Sequence, residues 1–234
     1  MTTRPRSTVG GEAPMARRVG RPAGPTAQGA ASREAIVDAA AGVFARLGYE
    51  RARMADIIEV SGLSKGSVYF HFDSKEALAV AVLEERHARW IADIERILVD
   101  TRPGELRIQR LLPAMLSLHR DDPDAWVISR LAQSLAEVES TRAVAASMTR
   151  RWIDLVADLI QEAEASRPMV DGADGYSRVT EWTSMATLLV GAFDGLKATV
   201  NVVSSGDEAA AQRRLAEGGA LLERMLMRSL GLVG

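Results

Sequence analysis

The side chains best suited to chemistry gather in one short run, Ser64-Lys65-Gly66-Ser67-Val68-Tyr69-Phe70-His71. The hydroxyls of Ser64 and Ser67 can reach phosphates or base edges, and Lys65 is a long cation suited to guanine O6/N7 or to a phosphate. Gly66 has no side chain and permits close approach to a groove. Val68 can meet a thymine methyl or pack inward, while Tyr69 and His71 put polar tips on an otherwise apolar stretch. Bond-making machinery is harder to find. Cysteine is absent, which excludes thiol nucleophiles, disulfides and thiolate zinc sites. His71, His87 and His119 are not spaced i, i+4, and no H-E-x-x-H, G-x-S-x-G, P-loop or G-x-G-x-x-G occurs. The adjacent carboxylates Glu84-Glu85 and Asp121-Asp122 read as solvated helix surfaces or caps. Neither an enzyme, a metal centre nor a cofactor is expected.

Two short helices must hold this run. Met54, Ile57 and Ile58 give the first an apolar face, Ser61-Gly62 makes the turn, and Ser64 opens the second, expected over about 65–69. Glycine in the turn can take a positive φ without steric cost, so the helices can cross steeply. Such a helix-turn-helix lays its second helix in a DNA major groove. Phe70 and Phe72 are assigned to the core. Asp73, with Glu76 three residues on, is expected to cap the next helix.

The order helix, GLSKGSVYFHF, SKE, long helix resembles the DNA-binding domain of the tetracycline-repressor (TetR) family, most densely from about Ser32 to Leu83. Tyr49 after Gly48 matches the family's junction between its first two helices. The resemblance implies phosphate contacts for Tyr69, His71 and Lys75. One stretch departs from it. Arg53 stands where the family usually has a Ser or Thr that caps the second helix and touches a phosphate. Arginine has no acceptor, so the cap, worth about 1 kcal/mol, is lost. Arg53 and its neighbour Arg51 can instead grip a phosphate as a fork.

Composition fits this picture only once the chain is divided. Its 234 residues, 47% hydrophobic and 26% charged, are enough for a small domain and a larger one. The formal charge is −2, yet residues 1–75 carry 11 Lys and Arg against 7 Asp and Glu, while residues 76–234 carry 18 against 24. A basic front on an acidic body concentrates phosphate affinity at one end. No apolar run is expected to reach the roughly 18–20 residues of a membrane span, because Asp194, Lys197 and Asn201 interrupt the longest, Met185–Val203. The Arg- and Pro-rich N-terminus lacks the apolar core of a signal peptide, and a cytoplasmic location is expected.

Residues 1–30 are expected to be a disordered basic arm. Its Arg17-Arg18-Val19-Gly20-Arg21-Pro22 can enter a minor groove, or be a solvated tail, or precede a translation start at Met15. Residues 31–78 are assigned to the helix-turn-helix domain and 79–234 to a helical ligand-binding and dimerisation domain. Ser32 is expected to cap the first helix, which ends at Gly48. Further helices are expected at about 74–99, 105–119, 124–139, 141–165, 176–203 and 207–230, with Asp207 capping the last. No segment alternates with period two, so the fold is all-α.

The family's body helices surround an apolar cavity, and candidate walls here are Met115, Leu118, Trp126, Met148, Trp152, Trp182, Met185 and Phe193. The setting of Trp152, in Thr149-Arg150-Arg151-Trp152, and the run from Ser67 to Glu85 are similar to receptors for γ-butyrolactone hormones, which implies a Trp lying against the ligand. Leu188, Gly191 and Gly195, with Leu222, Met225 and Leu226, are assigned to a dimer interface. Leu189, Ala192, Leu196 and Val200 exceed one protomer's needs as well. The expected partners are therefore double-stranded DNA with a pseudo-palindromic operator, a small-molecule effector and a second copy, with no membrane. A repressor released by an amphipathic, butyrolactone-like ligand is one reading. An orphan or activating regulator is a second, and a helical dimer module without a DNA role a third.

Overall fold

The computed structural model describes residues 27–121, 125–166, 175–204 and 206–232. Of the arm expected over residues 1–30, residues 1–26 lie outside the described residues, and residues 27–30 are helical, forming the start of α1 rather than disordered chain. Among the described residues the chain forms α-helices and no strands: α1 (Ala27–Leu47), α2 (Met54–Ser61), α3 (Lys65–His71), α4 (Lys75–Val99), α5 (Glu105–Asp121), α6 (Ala125–Glu137), α7 (Glu139–Ala165), α8 (Gly175–Val203) and α9 (Glu208–Ser229).

Two apolar cores are joined by α4. In the first, Ile36, Ala40 and Phe44 of α1 meet Ile57, Val68, Phe72, Leu78 and Val82, and α6 adds Val127, Leu131 and Leu135. In the second, Trp90, Ile94 and Leu98 meet Leu112 and Met115 of α5, Trp152, Val156 and Ile160 of α7, Phe193 and Val200 of α8, and Leu226 of α9. The first turns of α4 thus belong to the head and its later turns to the body. Two ion pairs fix α4 to α1: buried Arg86 with Asp38 at 2.6 Å, and Arg33 with Glu85.

Local chemistry sets the turns. Gly62 adopts φ +66°, the left-handed conformation the α2–α3 turn requires. Ser64 is extended and its Oγ accepts the Ser67 N–H, capping α3. Arg53 occupies the N-cap of α2 without a side-chain cap bond. Asp56 partly compensates, its carboxylate accepting the Arg53 backbone N–H at 2.8 Å. At α9, Asp207 accepts the Ala210 N–H at 2.9 Å, as expected of a cap.

Four further expectations need correction. Ser32 is not a cap: α1 already runs from Ala27, and the Ser32 hydroxyl donates to Gln28 O one turn back. Asp73 is not the cap of α4. That role falls to Ser74, which is extended and accepts the Ala77 N–H at 3.1 Å. Phe70 is not core but 83% exposed. Val68 and Phe72, four residues apart, take the inward side, so Phe70 midway between them stands outward. Finally, Glu181–Val203 is by length and composition apolar enough to cross a membrane, despite its charges. About a third of that stretch is buried; one side packs on α7 and α9, where buried Lys197 pairs with half-buried Asp194.

Candidate functional site

The run from Ser64 to His71 forms a surface along α3 and its N-cap. Ser64, Lys65 and Gly66 are exposed, Ser67 and His71 half-exposed, and Tyr69 exposed. Lys65 Nζ lies 5.8 Å from the Tyr69 ring, so ammonium and phenol stand together on one face. His71 meets Phe70 edge-on at 5.2 Å. Gly66 is informative because nothing in the chain demands it. A Cβ there would meet only Ser64 Oγ, at 3.9 Å, although glycine inside a helix costs roughly 0.5–1 kcal/mol relative to alanine.

Three candidates behave differently from the rest. Val68 is fully buried, so it packs inward and leaves the set of surface contacts. The Lys75 ammonium is held within the head, donating to Tyr49 O at 2.9 Å and lying 4.3 Å from the Tyr49 ring. Arg51 donates through Nε to Leu47 O, while its neighbour Arg53 is exposed beside it. Phe70, missed by sequence reasoning, joins the exposed face. Its position opposite Val68 was the available signal.

The second site is a small cavity in the body, about 60 Å³, walled by α4, α5, α6, α7 and α8. Of the expected walls, Met115, Met148, Trp152 and Phe193 line it. Leu118 does not, because His119, one turn after Met115, takes the inward position on α5. Trp126 borders a neighbouring hollow beside Arg130 and Asn201. Trp182 and Met185 lie nearer the start of α8, away from the cavity-lining stretch from Val190 to Lys197. The Trp182 indole donates to Glu164 at 2.8 Å, tying α8 to α7. Trp90 and Trp152 stack edge to face with centroids 4.4 Å apart.

The cavity is more polar than the sequence suggested. Buried Lys197 Nζ sits 2.6 Å from Asp194, 2.5 Å from Ser129 Oγ and 3.3 Å from His119 Nε2. His119 Nδ1 lies 2.8 Å from Met115 O, which can only accept. The proton is therefore on Nδ1, and Nε2 accepts from the ammonium. Burial, then the Lys197 charge, pushes the His119 pKa down to about 3. Burial also lowers the pKa of Lys197, against the pull of Asp194. His87 is held below its ordinary value by burial and then by Arg151. The signal for this cluster was present: Asp194 and Lys197 are the charges that interrupt the apolar α8. Among the described residues no cluster of three or more potential ligands could hold a metal.

A third surface is bare. On α8, Leu188 is 73% and Val202 74% exposed, with Gly191, Ala192 and Gly195 between them. A Cβ at Gly191 or Gly195 would meet nothing within 4 Å. On α9, Leu221 and Met225 are exposed and Leu222 is partly covered. Leu226 instead belongs to the chain's own core, as do Leu189 and Val200. The glycine that brings α8 and α9 together is Gly218, where a Cβ would lie 2.6 Å from Leu196 Cδ1.

Residues 36–82 match the family model of bacterial regulatory proteins, tetR family. The A-factor receptor protein of Streptomyces griseus is 53% identical over 51 residues, covering 22% of this chain and 18% of that protein. The HTH-type transcriptional regulator RutR of Escherichia coli K12 is 34% identical over 95 residues, 41% of this chain and 44% of its own length. The matched stretches span less than half of these two relatives. Full-length tylp, a tetR regulator from Streptomyces fradiae, is similar over most of the chain. Its crystal structure aligns with a TM-score of 0.56 and 30% identity over 86% of each chain.

Proposed function

This chain belongs to the tetR family of bacterial regulatory proteins, and we propose that it is a dimeric repressor released from its operator by a small amphipathic ligand. The helix-turn-helix head, together with the first turns of α4, reads the operator, and the helices that follow sense and pair. Ser64, Lys65, Gly66, Ser67 and Tyr69 meet duplex DNA, with Arg51, Arg53 and His71 on flanking phosphates. Two heads joined through the bare faces of α8 and α9 read a pseudo-palindrome, matching two-fold protein to two-fold site.

The observation that carries this reading is the course of α4. Its first turns lie in the head core and are clamped to α1, while Leu83, His87 and Trp90 line the cavity. The cavity is far smaller than the roughly 300–1,000 Å³ of ordinary small-molecule sites. A ligand must therefore move a wall to enter, and moving α4 changes the spacing of the heads. It shifts operator affinity only by its differential affinity for the two arrangements. A butyrolactone-like compound, with a small polar ring and an alkyl tail, suits the Trp152 wall and the likeness to the A-factor receptor protein. The same small volume supports a second reading, an orphan regulator whose cavity stays closed.

A gel shift with the protein's own upstream DNA tests the proposal. Salt-sensitive binding that a candidate lactone reverses is expected, and Trp152→Ala should blunt that reversal without loss of DNA binding. Binding that no lactone reverses favours the orphan reading; absence of binding removes both.

A further inference from the structure

Two buried polar atoms on residues that line the body cavity have no partner. His87 Nδ1 and Trp90 Nε1 are buried side-chain nitrogens without a hydrogen bond, on residues 5% and 8% exposed. Both residues line the cavity, and at i, i+3 on α4 they lie on one helix face. An unsatisfied buried donor destabilises the fold, and native proteins keep few of them. The other polar groups nearby are paired: all three Lys197 N–H directions are taken up by Asp194, Ser129 and His119.

We propose that His87 and Trp90 form the polar subsite of the effector cavity and receive an uncharged oxygen, hydroxyl or carbonyl, of an otherwise apolar ligand. This rests on the ligand-responsive reading above and adds the residues and the charge class. The Trp90 indole only donates, so its ligand atom is an acceptor. His87 Nδ1 accepts or donates according to its tautomer, and a hydroxyl answers either. A carboxylate is disfavoured because the walls offer it no free cation. Lys197 is neutralised by Asp194, both histidines are held neutral by burial, and Arg151 is exposed and outside the lining. A buried charge without a counter-charge is strongly unfavourable. Placing the polar contact on α4 also makes the ligand's anchor the same helix that holds the head.

Calorimetric titration of the full chain with 1-octanol, 2-octanone and octanoate tests this. Both neutral probes should bind, with octanoate at least about tenfold weaker. Trp90→Phe, which keeps a ring but loses the donor, should weaken 2-octanone by about fivefold to tenfold, the size of one hydrogen bond. His87→Phe should weaken 1-octanol comparably, and it decides alone if the first variant does not fold. Octanoate binding as tightly as 2-octanone overturns the proposal. So do wild-type affinities in the folded variants, or no binding by either neutral probe. A gel shift on the same samples separates the two readings. Intact operator binding with no preference for neutral probes overturns only the subsite. A retained preference without operator binding overturns only the repressor.

Discussion

Acidification should expose the buried histidine at the centre of the body. His119 is neutral in the fold, with a pKa near 3, but titrates near 6.5 as an ordinary imidazole. Above pH 6.5 neither state binds the proton and the group is silent. Below it the unfolded chain takes a proton that the folded chain refuses. Stability is therefore lost as pH falls from 6.5 toward 3, by about 1.4 kcal/mol per unit, or about 2 kcal/mol at pH 5. Carboxylates and His87 add slopes of their own, so the useful quantity is a difference. Urea unfolding of the wild type and of His119→Gln at pH 7, 6 and 5, at one protein concentration, isolates it. The variant will be weaker at pH 7, having lost ring contacts with Trp90 and Phe193. Its curve from pH 7 to pH 5 should nonetheless be flatter by about 2 kcal/mol. Parallel curves would refute the claim that His119 is held neutral in the core.

Gly66→Ala should change two properties in opposite directions. Melting should reveal a gain of roughly 0.5–1 kcal/mol from the better helix former, while operator affinity should fall about tenfold as the methyl intrudes between helix and groove. A variant that is stabilised and binds DNA as well as wild type would return Gly66 to a structural role. Leu188→Glu places a charge on the bare α8 face of each subunit, so sedimentation should find monomers at concentrations where the wild type is dimeric. The helical circular dichroism signal should persist, and operator binding should weaken with the loss of the second head. A dimer that survives this substitution would move the interface elsewhere.

Much of the head was legible because its signals are local. The capping hydroxyl of Ser64, the glycine at 62 and the aromatic run act within a few residues. Boundaries failed where two residues competed for one role. Asp73 and Ser74 are both good caps, and which one is extended beside Ala77 depends on where Phe72 releases α3. Phe70 shows that an aromatic type alone does not mean core: the four-residue interval from Val68 to Phe72 assigns the inward side to those two and leaves Phe70 outward. The body was less legible because its site is assembled from several helices. His87, His119 and Lys197 are far apart in sequence and follow no metal-ligand spacing, so nothing local joins them. Leu226 shows the same limit: the stripe on α9 is real, but which of its residues face the chain's own core depends on how α8 lies against it.

The most direct test of the central claim is fluorescence anisotropy with labelled upstream DNA at two salt concentrations, comparing wild type with Lys65→Ala and Tyr69→Ala. If α3 delivers these side chains to the duplex, both variants bind at least about tenfold more weakly while remaining dimeric. Lys65→Ala should also have a shallower salt dependence, by about one phosphate contact if its ammonium meets the backbone. Wild-type affinity in both variants would contradict the account.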